Sequence, residues 1–174
     1  MQRYNLIWRF LLRLADINNK ITNLRPIRLV SPRIWELKRV VNALQTYICS
    51  DVIESLMKEK FDKSSLKNQD FETLVESHRQ FLLVAVQQSF LLSSTLFSIF
   101  TNMLDTIDTF CENSEMEDHV ESYESFKEYL SVLFALLKRR GETYQANKTN
   151  EIKFLQKFLL RLDYNNFFKS LLTK

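Results

Sequence analysis

Three features of this 174-residue chain have residue types and spacing that could do chemistry. The first is a polar flank. Arg39, Asn42, Gln45, Tyr47 and Asp51 lie beside an apolar stripe of Leu37, Val41, Leu44, Ile48 and Val52, which recur every three to four residues. A helix here buries the stripe and offers hydrogen-bonding and charged groups on its side, which is the chemistry of recognition. The second is an acidic run, with Asp105, Asp108, Glu112, Glu115, Glu117, Asp118, Glu121, Glu124 and Glu128 in close succession. Paired carboxylates suit acid–base catalysis or calcium, but this run lacks the glycine and alternate spacing of an EF-hand loop. It reads as an acidic solvated loop. The third is His78, followed by Arg79. An imidazole can act as a general base or metal ligand, yet no second histidine, cysteine or carboxylate cluster shares its spacing. His78 falls on the apolar side of its segment, so a core or interface histidine is expected.

No catalytic constellation assembles from these parts. The chain has two histidines and a single glycine, which leaves no metal-ligand spacing, no strand-to-helix serine elbow, no phosphate loop and no oxyanion nest. The expectation is a non-enzymatic binding or structural module without cofactor or metal. Cys49 and Cys111 are too few for a disulfide framework and read as reduced, packed thiols of an intracellular protein. Arg9 and Arg13 interrupt the apolar N-terminal residues, so no secretory signal is read there.

The elements that must position the polar flank are helical. One glycine and two prolines in a chain that is 45% hydrophobic exclude most tight turns and hairpins. The length suits one domain that buries roughly two-thirds of its unfolded surface. Residues 4–24 carry Ile7, Phe10, Leu14, Ile17, Ile21 and Leu24 at helical spacing, and Arg25-Pro26 closes that helix. Ser31-Pro32 opens a second helix, over residues 32–60, which contains the polar flank. After a polar connection with Ser64, Ser65 and Asn68, Asp70 caps a third helix with Phe71, Leu74, His78, Phe81, Leu82 and Ala85 on one side. Ser93 or Ser94 begins a fourth, with Leu96, Ile99, Met103, Ile107 and Phe110 repeating. A fifth carries Tyr123, Phe126, Leu130, Leu133 and Leu137 and is expected to end at Lys138-Arg139-Arg140-Gly141, where glycine supplies a left-handed cap. Asn150 caps a last helix through Leu162. Between Gln80 and Leu104 there is no charge, but nine Gln, Ser, Thr and Asn side chains would be costly in hydrocarbon, so two buried helices meeting at a Ser-rich corner are expected rather than a membrane span. The predicted fold is all-α, an elongated bundle of about five to six helices in one domain over residues 1–174.

Charge is spread unevenly. Residues 1–40 carry +7, residues 105–129 carry −8 and residues 130–174 carry +6, within a net charge of +3. The basic ends could meet an acidic protein or nucleic acid. Trp8, Phe10 and Phe158 fit the apolar stripes rather than a base-stacking platform, so no nucleic-acid partner is expected.

Five stretches carry a resemblance. They are Tyr4-Asn5-Leu6-Ile7-Trp8-Arg9-Phe10-Leu11-Leu12-Arg13-Leu14; Asn42-Ala43-Leu44-Gln45-Thr46-Tyr47-Ile48 with Asp51-Val52-Ile53-Glu54; Asp70-Phe71-Glu72 followed by His78, Phe81 and Leu82; Ser89-Phe90-Leu91-Leu92-Ser93; and Leu159-Leu160-Arg161-Leu162-Asp163-Tyr164-Asn165. In this order they resemble the C-terminal end of the gamma-tubulin complex components. Ala43, Thr46 and the short 19–33 connection depart from the family pattern. The resemblance implies elongated all-helical proteins that assemble laterally through their N-terminal halves and bind gamma-tubulin through their C-terminal halves, templating microtubule nucleation. It places this chain in the later part of that C-terminal half, without the lateral assembly region. The partners it implies are gamma-tubulin and other complex components, at cytoskeletal microtubule-organizing centres in the cytoplasm. The expected contact residues are Arg39, Asn42, Gln45, Tyr47 and Asp51, with His78 and Arg79 nearby. Arg9 and Arg13 would add favourable charge. A helical scaffold or adaptor that binds another helical protein is the alternative.

Overall fold

A computed structural model describes residues 2–24, 31–61, 70–113, 119–147 and 151–163. All the regular structure among them is helical: α1 (Gln2–Asn23), α2 (Ser31–Thr46), a π-helical segment (Tyr47–Glu54), α3 (Ser55–Lys60), α4 (Phe71–Gln88), α5 (Ser94–Glu112), α6 (His119–Asn147) and α7 (Glu151–Leu162). Thr46, Glu54 and Ser55 keep right-handed helical dihedrals, so α2, the π segment and α3 run on as one rod. The six resulting helices form the expected all-α bundle. The expected features at Arg25-Pro26, Ser64, Ser65, Asn68, Asn150 and Tyr164-Asn165 lie outside the described residues.

Helix α5 is the centre. Leu96, Ile99, Phe100, Met103, Leu104, Ile107 and Phe110 are all buried, a stripe wide enough to pack on α6 and α1 at once. Aromatic rings carry the core across the bundle. Phe10 of α1 meets Phe100 of α5 at 5.9 Å, Phe100 meets Phe158 of α7 at 6.2 Å, and Phe158 meets Tyr47 of the π segment at 4.6 Å. These separations lie in the favourable range for tilted and edge-on ring pairs.

The acidic run is not a loop over most of its length. Residues 105–112 complete α5 and residues 119–128 begin α6, while Glu115, Glu117 and Asp118 lie outside the described residues. Asp105 accepts from Arg13 and Asp108 from Lys20, so α5 supplies counter-charges to basic α1. On α6, the buried Tyr123 donates its hydroxyl to Glu36 of α2 and lies under the Arg33 guanidinium at 5.2 Å.

Two further expectations are corrected. Helix α6 does not end at Gly141 but continues to Asn147, and Gly141 has no positive φ. Its function is close approach, because a Cβ there would meet Leu155 Cδ2 of α7 at 3.2 Å. The left-handed cap occurs instead at Phe90 after α4, with φ of 59°. Phe90 N–H bonds to the Gln87 carbonyl at 3.0 Å and Leu91 N–H to the Val86 carbonyl at 3.3 Å, which is the Schellman pattern with phenylalanine where glycine is usual. Such a conformation costs about 1–3 kcal/mol. The buried Phe90 ring, stacked on Tyr47 at 6.1 Å, offsets it. The predicted start of α4 agrees, since Asp70 accepts from Thr73 N–H at 2.8 Å.

Two measurements check this packing. Gly141→Ala is expected to remain within about 1 kcal/mol of the parent in urea unfolding, because its helix-propensity gain offsets a small shift of Leu155. Gly141→Leu, which forces α7 outward, is expected to cost about 1–3 kcal/mol. Tyr47 donates to the Gln88 carbonyl at 2.8 Å, and burial pushes its phenol far above the ordinary value of 10.0. The unfolded chain ionises Tyr47 near that value while the folded chain does not, so this contribution to stability is complete below about pH 10 and declines as pH rises further. Tyr47→Phe is therefore expected to lose about 1 kcal/mol at neutral pH and to show a shallower alkaline decline in unfolding measured at stepped pH.

Candidate functional site

The polar flank becomes one wall of a groove. Arg39, Asn42, Ala43 and Thr46 of α2 and Asp51 of the π segment face Lys157, Leu160 and Arg161 of α7 across about 500 Å³. The stripe Leu37, Val41, Leu44, Ile48 and Val52 is buried behind it, each residue at 1% exposure or less. The sequence pattern thus fixes which side faces the core. The partner wall comes from the far end of the chain.

Two arginine contacts join the walls of the groove. Asp51 accepts from Arg161 twice, at 3.0 Å from one terminal nitrogen and more closely from Nε. A two-pronged pair of this kind fixes direction as well as distance. Arg39 donates to the Leu162 carbonyl at 3.1 Å, meeting an acceptor that the end of α7 leaves without a helical partner. The Arg39 guanidinium also sits 5.5 Å from the Trp35 ring centroid. Trp35 beside Arg39 is 58% exposed, and Leu160 in the groove lining is 61% exposed.

Of the seven expected contact residues, three line this groove: Arg39, Asn42 and Asp51. Gln45 is half-buried and does not line it. Tyr47 is not on an exposed flank; it is 1% exposed and packs against Phe90 and Phe158. The reason is stripe width, since Val40, Leu44 and Tyr47 follow i, i+4, i+7 spacing and α7 packs on that side too. The π segment then matters for Asp51. A turn that closes i to i+5 brings Val52 beneath Tyr47 and leaves Asp51 to the side, toward Arg161.

His78 and Arg79 belong to a different surface. Every residue from 71 to 80 in α4 is exposed or half-buried, and burial begins only at Phe81. His78 is thus exposed rather than on a core face, its ring 6.3 Å from Phe81. Arg79 pairs with Glu76 of its own helix at 3.2 Å. Arg13, expected as a free cation for a partner, is engaged by Asp105, whereas Arg9 is exposed. Cys49 is exposed, and Cys111 is half-buried with its thiol pushed up to about 11 chiefly by burial.

The missed groove residues are Lys157, Leu160 and Arg161. Lys153, Lys157 and Arg161 stand at i, i+4, i+8, a signal that α7 carries a basic ridge. Nothing in the sequence pairs that ridge with α2. Among the described residues no group of three His, Cys, Asp or Glu side chains could hold a metal, and no helix is long and apolar enough to cross a membrane.

The Asp51–Arg161 pair is testable by a double-mutant cycle. Asp51→Asn and Arg161→Gln are each expected to cost about 1 kcal/mol in urea unfolding, a value reduced by the partial exposure of Arg161. The double variant should cost less than the sum of the two.

Comparison with known proteins covers this whole region. Residues 1–168 match the family described as gamma tubulin complex component C-terminal. The Gamma-tubulin complex component 4 of Arabidopsis thaliana is 29% identical over 147 residues, spanning 79% of this chain and 19% of that protein. The human protein of the same name is 24% identical over 191 aligned positions, spanning 97% of this chain and 28% of that protein. The chain therefore spans less than a third of the length of these relatives. With a family match that runs through every helix described above, this chain belongs to the gamma-tubulin complex components, in their C-terminal region.

Proposed function

We propose that this chain binds gamma-tubulin and so takes part in templating microtubule nucleation at cytoskeletal microtubule-organizing centres, together with other gamma-tubulin complex components. The observation that carries the reading is the family match over residues 1–168, which includes both walls of the exposed groove. The role is one of binding and positioning. A bundle with a continuous core across α1, α5, α7 and the π segment is a rigid platform, and rigid interfaces lose little entropy on docking. Arg39, Asn42 and Asp51 are the contacts assigned on the groove, with half-buried Gln45 on the same helix. His78 and Arg79 offer a second contact on the exposed half of α4. Charge on the groove favours rapid encounter with an acidic partner surface.

A second reading, a helical adaptor that docks another helix, is favoured by Phe71, Leu74 and Val75, which are 78%, 37% and 41% exposed on α4. One column distinguishes the two. The purified chain, helical by circular dichroism, is expected to shift into a stoichiometric peak with gamma-tubulin at near-physiological salt, and Asn42→Ala combined with Lys157→Ala is expected to weaken that peak. A helical chain that elutes apart from gamma-tubulin would overturn the first reading.

A further inference from the structure

The groove between α2 and α7 is electrostatically unbalanced. Its lining holds three cations, Arg39, Lys157 and Arg161, against the single carboxylate of Asp51. Asp51 is committed to Arg161. The basic ridge of α7 extends beyond the groove to Lys153, and both Lys153 and Lys157 are exposed. Neither lysine has a carboxylate within ion-pairing reach among the described residues; Lys157 instead lies 5.6 Å from the centroid of the Phe154 ring.

Several cations elsewhere in the bundle are paired, unlike these two lysines. On α1, Arg13 and Lys20 are answered by Asp105 and Asp108. Lys58 is answered by Glu54 and Lys127 by Glu124. Along α7, three like charges stand about 5–6 Å apart, one per turn, and repel one another. Among the described residues, the last of them is neutralised by Asp51 and the first two are not. Leu160, between Lys157 and Arg161, is 61% exposed, so the ridge carries an apolar contact as well.

We infer that this groove is a docking site for an acidic protein segment, which presents carboxylates to Lys153 and Lys157 and an apolar side chain to Leu160. The inference deepens the proposed binding function and rests on it only for the identity of the partner. A helical segment fits best, because carboxylates at i and i+4 repeat at the same spacing as the lysines. Nucleic acid is disfavoured because the groove carries a fixed carboxylate, Asp51, and an exposed apolar side chain, Leu160.

The test uses the full chain and a fluorescein-labelled helical peptide that carries three glutamates at four-residue spacing and one leucine between them, followed by fluorescence anisotropy. Saturable binding that weakens with added salt is expected. Lys153→Glu combined with Lys157→Glu should raise Kd by about tenfold or more, and Leu160→Ala should raise it severalfold. Both lysines are exposed, so helicity by circular dichroism should be unchanged. Equal binding by a peptide with glutamine at the three positions would overturn the inference, as would unchanged Kd in the folded double variant. Tighter binding of an oligothymidylate would assign the ridge to nucleic acid and overturn it too. A parent chain that elutes as a dimer, and as a monomer when both lysines are reversed, would put a second copy in the groove with the same consequence. Gamma-tubulin separates the two levels of the reading. If it co-migrates equally with parent and double variant, the groove assignment fails while the family function stands. If the peptide binds as expected and gamma-tubulin does not, the groove stands and its assignment to that partner fails.

Discussion

The seat of Tyr47 is the constraint on which the rest of the structure depends. Its ring packs in a three-ring cluster with Phe90 of the α4–α5 turn and Phe158 of α7, and its hydroxyl reaches the Gln88 carbonyl at the end of α4. One side chain thereby joins the long α2–α3 rod to two other parts of the bundle. The bond has a structural logic at both ends. A buried phenol must find an acceptor, and a carbonyl at a helix end must find a donor. With Tyr47 fixed, Asp51 is held one turn further along the rod, where Arg161 meets it. The groove is a consequence of that seat.

Glycine scarcity shapes the backbone in two opposed ways. The single glycine is used where α6 approaches α7, with Leu155 already at contact distance from the absent Cβ. The left-handed turn after α4, a place where glycine would cost nothing, is occupied by Phe90. There the aromatic contacts with Tyr47 and Phe158 offset the backbone strain. Replacing strain relief with buried aromatic area is favourable because a phenylalanine ring contributes several kcal/mol to a core, against about 1–3 for the strained dihedral.

Electrostatics divides the surface into answered and unanswered regions. The acidic end of α5 and the basic face of α1 satisfy one another across a helix pair. Each such bridge is worth little by itself because it is exposed to solvent and salt. Their combined effect is orientation, since α1 can pack on α5 in the register that matches Arg13 with Asp105 and Lys20 with Asp108. Among the described residues the α7 ridge has no such match for Lys153 and Lys157, which leaves it open to an external acid.

Amino-acid order alone determined the helical class, the places where most helices begin, and the core face of most of them. Those features are local, arising from helical periodicity, from caps such as Asp70 and from the near absence of glycine. The family resemblance was legible for the same reason, in runs of residues that are contiguous. Arg39, Asn42 and Asp51 line one groove wall, with Asn42 exposed and Arg39 and Asp51 half-buried, because helical period keeps residues of one face together. Tyr47 was misread, because how wide a stripe is buried depends on how many neighbours pack on it, and α7 is more than a hundred residues away. His78 was misread for the converse reason: its face has helical period, but no helix among the described residues covers residues 71–80. The groove itself was decided by tertiary structure alone. Its two walls are separated by 110 residues between Asp51 and Arg161, and only packing of α7 against α2 and the π segment brings a basic ridge to a polar flank.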